Sequence, residues 1–315
     1  MALEATTVER PLATQPPPAA GTRGAAARWL LGLNALLVYT FLYAPILILV
    51  ILSFNASRNV SVWRGFTLDW YRSLLAGAGT LGLYGDTGTV AQDTAELARN
   101  FQASGIVLAL RNSLIVSFSA TAISTVFGTM IALALHRYRF RFKGTFQTLL
   151  ALPVVIPDIT MGISLLVFFS LLFRLLENLL GLRMALGFAT IIIGHVAFNV
   201  SYVAIVVRAR LAGMDRTLEE AAQDLGANEW QTFRRVTLPL IMPGVLGGAL
   251  LAFTLSLDDF VITFFTAGVG SSTLPLFVYG MIRFTVTPAI NAVSTLMLLA
   301  SMVLVLLSLA IQRRG

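Results

Sequence analysis

The chain has 315 residues, 57% of them hydrophobic and only 12% charged, with a formal net charge of +7 and a mean hydropathy of +0.82. Soluble domains carry about 25% charged residues, so this composition points away from a water-soluble fold. The lack of cysteine excludes a disulfide framework and a thiolate metal site, and two histidines, His136 and His195, are too few for a histidine metal cluster. The basic residues lie beside apolar stretches, where membrane topology rather than nucleic-acid binding explains them.

The opening MALEATTVERPLATQPPPAAGTRG is rich in Pro, Ala and Thr and predicts a disordered cytoplasmic tail over residues 1–25. A transmembrane domain, 26–315, comes next. Stretches of roughly 20 apolar residues mark membrane helices, and six occur, at about 29–53, 112–135, 146–173, 185–207, 240–264 and 289–311. The first is too long for a signal-peptide core and lacks a small-residue cleavage site, so it reads as retained. The loop 54–111 is the least regular part. Its GAGTLGLYGDTG (77–88) is loop-like, and its TVAQDTAELARNFQ predicts a short helix with acids early and an arginine late.

Fourteen of the 22 Lys and Arg fall in the tail, in HRYRFRFKG, in the link after span four and at the end. Short basic loops mark the cytoplasmic face, so both termini are expected there and 54–111 is expected outside.

Within span three, Asp158 lies about 12 residues in, roughly 18 Å along a helix and near the middle of a core about 30 Å thick. An aspartate at that depth costs about 2.5–3.5 kcal/mol and is expected to face a cavity or partner. Pro153 and Pro157 loosen the helix before it, so Asp158 also reads as the cap of a broken helix. In span four, His195, Asn199 and Ser201 read as interhelical hydrogen-bonding groups. Asp258 and Asp259 lie about 18 residues into span five, near its outer end. Successive helical residues point about 100° apart, so one carboxylate lines a path while the other packs, or both are solvated at the rim.

Between spans four and five, the cytoplasmic segment 208–239 carries Leu218, Ala221, Ala222 and Leu225 at the i, i+3, i+4, i+7 spacing of one helix face. Thr217 and Glu220 have capping-box spacing, and Gly226 stands where a helix ends. A second short helix is predicted from Asn228, with Trp230 and Phe233 on one side. Pro239 and Pro243 flank the entry to span five. The narrow, alanine-lined face suits docking into a groove, or lying against lipid headgroups.

EAAQDLG, nine residues, then VTLP resembles the cytoplasmic signature of ATP-binding-cassette importer permeases. The matching positions are Glu220, Ala221, Ala222, Gly226, Val236, Leu238 and Pro239, with Val236 in place of the commoner Ile. The resemblance implies a coupling helix that docks on an ABC ATPase dimer. No Gly-x-x-x-x-Gly-Lys-Ser/Thr loop occurs, so the ATPase is expected to be another chain and this one no enzyme. YAPILILVILSFNASR, WRGFTLDWYRSLL, ALHRYRFRFKG, PDITMGISLL and FTLSLDDFVITFFTAG are similar to the spermidine/putrescine permeases of the Pot type, in their second, PotC-like membrane subunit. The likeness runs from about residue 35 to the end. The outer loop around 77–104 is longer than is usual there. This second resemblance implies an all-α, type I importer permease (MetI-like) fold in the bacterial inner membrane. It also implies that no cofactor is needed, and that the partners are a PotB-like second permease and a periplasmic or lipid-anchored solute-binding protein.

A polyamine needs spaced carboxylates for its ammonium groups and aromatic faces for cation–π contact. Asp158, Asp258, Asp259 and Tyr279 are the substrate-pathway candidates, with Tyr202, Phe260 and Phe264 near in sequence. Aromatics in spans also serve as packing or interface anchors. An anion carrier would present basic groups inside the membrane, and no Lys or Arg lies deep in any span. Permeases for ferric iron, thiosulfate or amino-acid derivatives share the architecture and stay open as alternatives. An ATP-independent channel or carrier has no use for the signature. A membrane hydrolase would need a nucleophile–base pair or metal motif, and the spans carry neither.

Overall fold

The computed structural model describes residues 23–57, 62–80, 94–215, 217–283 and 288–314. These form α1 (Arg23–Leu52), α2 (Asp69–Thr80), α3 (Thr94–Arg137), α4 (Lys143–Val155), α5 (Asp158–Leu180), α6 (Phe188–Ala212), α7 (Thr217–Asp224), α8 (Glu229–Thr232), a π-turn (Phe233–Thr237), α9 (Leu238–Asp258), α10 (Val261–Thr266), α11 (Leu274–Ile282) and α12 (Pro288–Arg314). Six helical stretches are long and apolar enough to cross a membrane: Ala27–Leu52, Gly105–Arg137, Asp158–Leu180, Phe188–Ala212, Glu229–Asp258 and Pro288–Leu307. Their number and order match the expectation from the sequence.

The chain divides into two units, Met1–Leu49 and Val50–Gly315. In the first, the described part of α1 is apolar around its whole circumference, the composition of a span surrounded by lipid or protein. In the second, the core sits where α3, α6 and α9 meet. Ala132, Val203, Ala204, Val207, Leu211, Ile241 and Ala252 are buried together there. Small residues allow the approach: a Cβ on Gly128 would lie 2.7 Å from Val203 Cβ and 3.0 Å from the Val200 carbonyl. A second cluster joins α2, α3, α11 and α12 through Leu74, Ile106, Ala109, Leu274, Ala292 and Val293. Asn112 Nδ2 donates to the Gly270 and Ser272 carbonyls at 3.2 and 3.0 Å, and Ser113 accepts from the Leu274 N–H at 2.8 Å. These bonds hold the start of α11 against α3.

The structure corrects several sequence expectations. Span three is not one helix over 146–173. Pro157 forces the residue before it out of the helical region, Ile156 is extended at ψ 132°, and the chain restarts as α5. Asp158 therefore opens a helix, and its depth cannot be counted along a single one. Span five is likewise broken: Asp259 is extended at ψ 127°, and α10 begins after Phe260. The described residues of the stretch 54–111 are more ordered than the loop expected there. Residues 77–80 of the supposed loop belong to α2, and the short helix foreseen around 89–102 is the start of α3, with residues 81–93 outside the described part. Asn55 is fully buried. Its Nδ2 donates to Val62 O at 2.9 Å, and its Oδ1 accepts from the N–H groups of Ser57 and Arg64 at 3.1 Å each. α1 begins at Arg23, inside the tail expected to end at 25, while residues 1–22 lie outside the described part.

Candidate functional site

The link between α6 and α9 is built as a short helix, a glycine turn and a re-entry into the span. Asp215 starts it: the Thr217 N–H donates to its Oδ1 at 3.0 Å, and this bond with the Thr217 hydroxyl holds the Asp215 carboxyl below its usual range. The Thr217 hydroxyl is thus turned back to Asp215, and the expected capping role of Thr217 passes to Asp215. Gly226 closes α7 with φ +87°, a conformation that costs an L-residue about 1–2 kcal/mol. Asn228 then caps α8. Its Oδ1 accepts from the Gln231 N–H at 2.8 Å, and its own N–H donates to Gln231 Oε1 at 3.1 Å.

The second helix, expected from Asn228, runs through the π-turn into α9. Pro239 cannot donate and its ring displaces the carbonyl four residues back. Widening the preceding turn relieves this, and the Leu238 N–H bonds to the Phe233 carbonyl, five residues back. The apolar edge of α7 faces outward, with Leu218 half exposed and Leu225 90% exposed, and Trp230 of α8 is 65% exposed. Glu220, Ala221 and Pro239 are exposed, Ala222 is half-buried, and Leu238 packs on the α3–α6–α9 core.

The inner face of α7 is anchored by a residue that carries no signal in the sequence. Glu219 Oε1 lies 2.6 Å from Arg137 Nη2 at the end of α3 and accepts from the Thr237 hydroxyl in the π-turn. Arg137 Nη2 also donates to Thr237 Oγ1 at 3.3 Å. An acid–base pair 82 residues apart leaves no local pattern to find.

Toward the end of α9, His195 of α6 is fully buried. Its Nδ1 is 2.5 Å from Ser256 Oγ, and its Nε2 is 3.1 Å from Asp259 Oδ2 and 3.0 Å from Thr263 Oγ1. Asp259 also accepts from the Thr263 N–H at 2.8 Å, the Thr263 hydroxyl at 2.9 Å and the Ile262 N–H at 3.3 Å. Asp259 thereby caps α10 and pins the break to α6. The interhelical role expected of His195 matches this position, while Ser256 and Thr263 carried no signal in the sequence. Asp258 is exposed and has the Ser301 hydroxyl of α12 as its neighbour. Asp158 is exposed at the first turn of α5, where the helix dipole favours a negative charge. One turn further, a Cβ on Gly162 would lie 2.5 Å from Phe265, just beyond α10's first turn. The two breaks are thus on adjoining elements.

Three of the four aromatics come together. The Tyr279 ring centroid is 4.6 Å from that of Phe260 and 6.5 Å from that of Phe264, which are 5.6 Å from each other. Tyr202 stands apart, with Phe198 as its ring neighbour. Arg283 Cζ lies 5.5 Å from the Tyr279 ring centroid, so this face already holds one cation. Among the described residues no group of His, Cys, Asp and Glu could hold a metal ion.

Residues 124–314 match the family of binding-protein-dependent transport system inner membrane components. The putrescine transport system permease protein PotI of Escherichia coli K12 is 42% identical over 264 residues, 84% of this chain and 83% of that protein. The spermidine/putrescine transport system permease protein PotC of Haemophilus influenzae is 36% identical over 278 residues, 88% and 94% of the two chains. Among solved structures, a bacterial ABC transporter for the acidic polysaccharide alginate superposes with a TM-score of 0.65 over 93% of this chain and 98% of that one. The MetNI methionine ABC transporter gives 0.54 over 66% and 95%. Both are 18% identical to this chain and speak for the fold alone. By its sequence, the chain belongs to the family of binding-protein-dependent transport system inner membrane components.

Proposed function

We propose that the chain is the PotC-like membrane subunit of an ATP-driven polyamine importer in the bacterial inner membrane. It has a type I importer (MetI-like) fold, with both termini in the cytoplasm. Family membership and two polyamine-permease relatives support the transport class and the cargo. The observation that carries the coupling role is the outward apolar edge of α7 and α8, with Leu225 90% and Trp230 65% exposed on a segment otherwise held from behind. Large exposed apolar side chains on a cytoplasmic helix suit a partner groove. The occupant of that role is a separate ABC ATPase dimer, which hydrolyses the ATP. Glu220, Ala221, Ala222, Gly226, Leu238 and Pro239 form the docking segment.

The substrate path uses the exposed carboxylates Asp158 and Asp258 and the Phe260–Phe264–Tyr279 rings. Asp259, engaged by His195 and Thr263, takes part by holding the break that presents them. A PotB-like permease supplies the other half of the path, and an extracytoplasmic binding protein delivers the cargo.

The test is uptake of radiolabelled putrescine and spermidine into proteoliposomes holding this chain, its partner permease and the ATPase, with binding protein outside and ATP inside. ATP-dependent accumulation is expected. Stimulation of ATP hydrolysis by some other loaded binding protein, without polyamine uptake, would keep the permease and reject the polyamine.

A further inference from the structure

We propose that Glu219, Arg137 and Thr237 form the junction through which movement of the α7–α8 segment reaches spans two and five, a role that rests on the permease reading above.

The starting point is how α7 is mounted. It has eight residues, too few for a stable isolated helix in water, and its apolar edge is turned outward. Beyond the chain itself, which continues through α8 and the π-turn into α9, such a helix transmits a push through whatever its inner face grips. Among the described residues, the contacts from α7 to α3 and to the π-turn converge on one carboxylate oxygen. Glu219 Oε1 accepts from Arg137 and from Thr237, and Arg137 in turn donates to Thr237. The three contacts form a closed triangle with one corner on α7, one at the last residue of α3 and one in the π-turn that leads into α9.

Two features make this triangle a link rather than a surface ion pair. Thr237 is fully buried, and the Glu219 and Arg137 side chains are only 16% and 32% exposed, so the pair is partly shielded from water and salt. Both helical attachments are at helix ends. Arg137 is placed where the dipole of α3 favours a cation, and Thr237 lies where α9 is re-formed after the π-turn. α3 and α9 are also the helices that close around α6 in the core, so displacing their cytoplasmic ends shifts the packing that lines the membrane interior. None of the three residues occupies a fixed position of the cytoplasmic signature. Glu219 precedes Glu220, and Thr237 is the unspecified position between Val236 and Leu238. They are positioning residues, acting through α3 and α9.

The experiment compares full transporters in proteoliposomes, reading labelled putrescine uptake and ATP hydrolysis in the same vesicles. Glu219→Gln is expected to lower cargo moved per ATP by about tenfold, the scale of losing a charge-assisted hydrogen bond between two moving parts. Basal hydrolysis and subunit stoichiometry stay at the parental level. Thr237→Val, which removes only the hydroxyl, is expected to lower the ratio by about threefold and remains informative if Glu219→Gln assembles poorly. Exchanging the charges, Glu219→Arg with Arg137→Glu, is expected to recover at least about half of the loss, because the attraction between the pair is restored. Weakened packing alone would reduce assembly and thermal stability and would not respond to the exchange. A cargo-to-ATP ratio unchanged in both single variants overturns the junction, as does a loss that the exchanged pair leaves in place. If the parent complex shows neither uptake nor stimulated hydrolysis, the permease reading itself has failed.

Discussion

Replacing His195 with leucine removes a side chain that ties α6 to both sides of the α9–α10 break, and the cost can be worked from the contacts. The imidazole makes one bond to Ser256 Oγ through Nδ1, while its Nε2 is shared between Asp259 and Thr263. The ring therefore loses two full bonds. A neutral interhelical hydrogen bond in a membrane protein averages about 0.6 kcal/mol, and one to a carboxylate contributes about 1.5–3 kcal/mol. Asp259 keeps the N–H and hydroxyl of Thr263, so it is not stranded, and the loss stays below the roughly 3–5 kcal/mol of a buried charge left wholly unpaired. The expected destabilisation is about 2–3.5 kcal/mol. Reversible unfolding in mixed micelles, followed by tryptophan fluorescence as SDS is added, measures it. Asp259→Ala and the double variant complete a cycle, with an expected coupling of about 1.5–3 kcal/mol. A loss below about 0.5 kcal/mol, the range of inconsequential surface substitutions, would refute the bracing role, and so would a coupling near zero.

Gly226→Asp forces a side chain into φ +87°. It is expected to leave insertion and assembly intact and to abolish ATP-driven uptake, so normal uptake would remove the coupling role from this turn. Gly128→Val is expected to separate α3 from α6 and cost about 1–3 kcal/mol by overpacking in the same unfolding assay. Gly144→Val, where no other element comes within 4 Å of the new Cβ, serves as the neutral control, and equal effects would contradict the close approach. Asp158→Asn is expected to slow polyamine flux in the vesicle assay, and unchanged flux would leave Asp158 only its helix-end role. The Asp215 carboxyl, lowered by its bonds from Thr217, is expected to titrate below the ordinary value of about 3.9. Because the folded-state value is the lower one, its contribution is present above that ordinary value and is lost as pH falls through the folded one. Carboxyl 13C shifts of the labelled protein give the midpoint, and one at or above the ordinary value would refute the assignment.

The features legible in the sequence are those governed by neighbours along the chain. Twenty-residue apolar windows located six spans, Gly226 marked the end of α7, and Asn228 marked the start of α8. The break before Asp158 was also written locally, in Pro157, but counting through that proline as though the helix continued put the aspartate inside it. Other features depend on residues far apart. The break at Asp259 is held by His195, 64 residues earlier. Phe260 and Tyr279 meet only because α11 folds back beside the break. Glu219 and Arg137 carry no local sign of pairing until α3 and α7 are placed together.

The π-turn at Phe233–Thr237 has a consequence for helical phase. A turn carrying one additional residue rotates everything after it by about 100° relative to a continuous α-helix. The azimuth at which α9 presents Ser256 to α6 and Asp258 to α12 is therefore set, as an offset, by a single residue just before α9 begins. Deleting one residue there would straighten the helix and dial both groups away from their partners without altering any of them. The nine-residue interval between Gly226 and Val236 thus works as an angular setting as well as a length. That interval keeps the α7–α8 segment and the α9–α10 break in angular register.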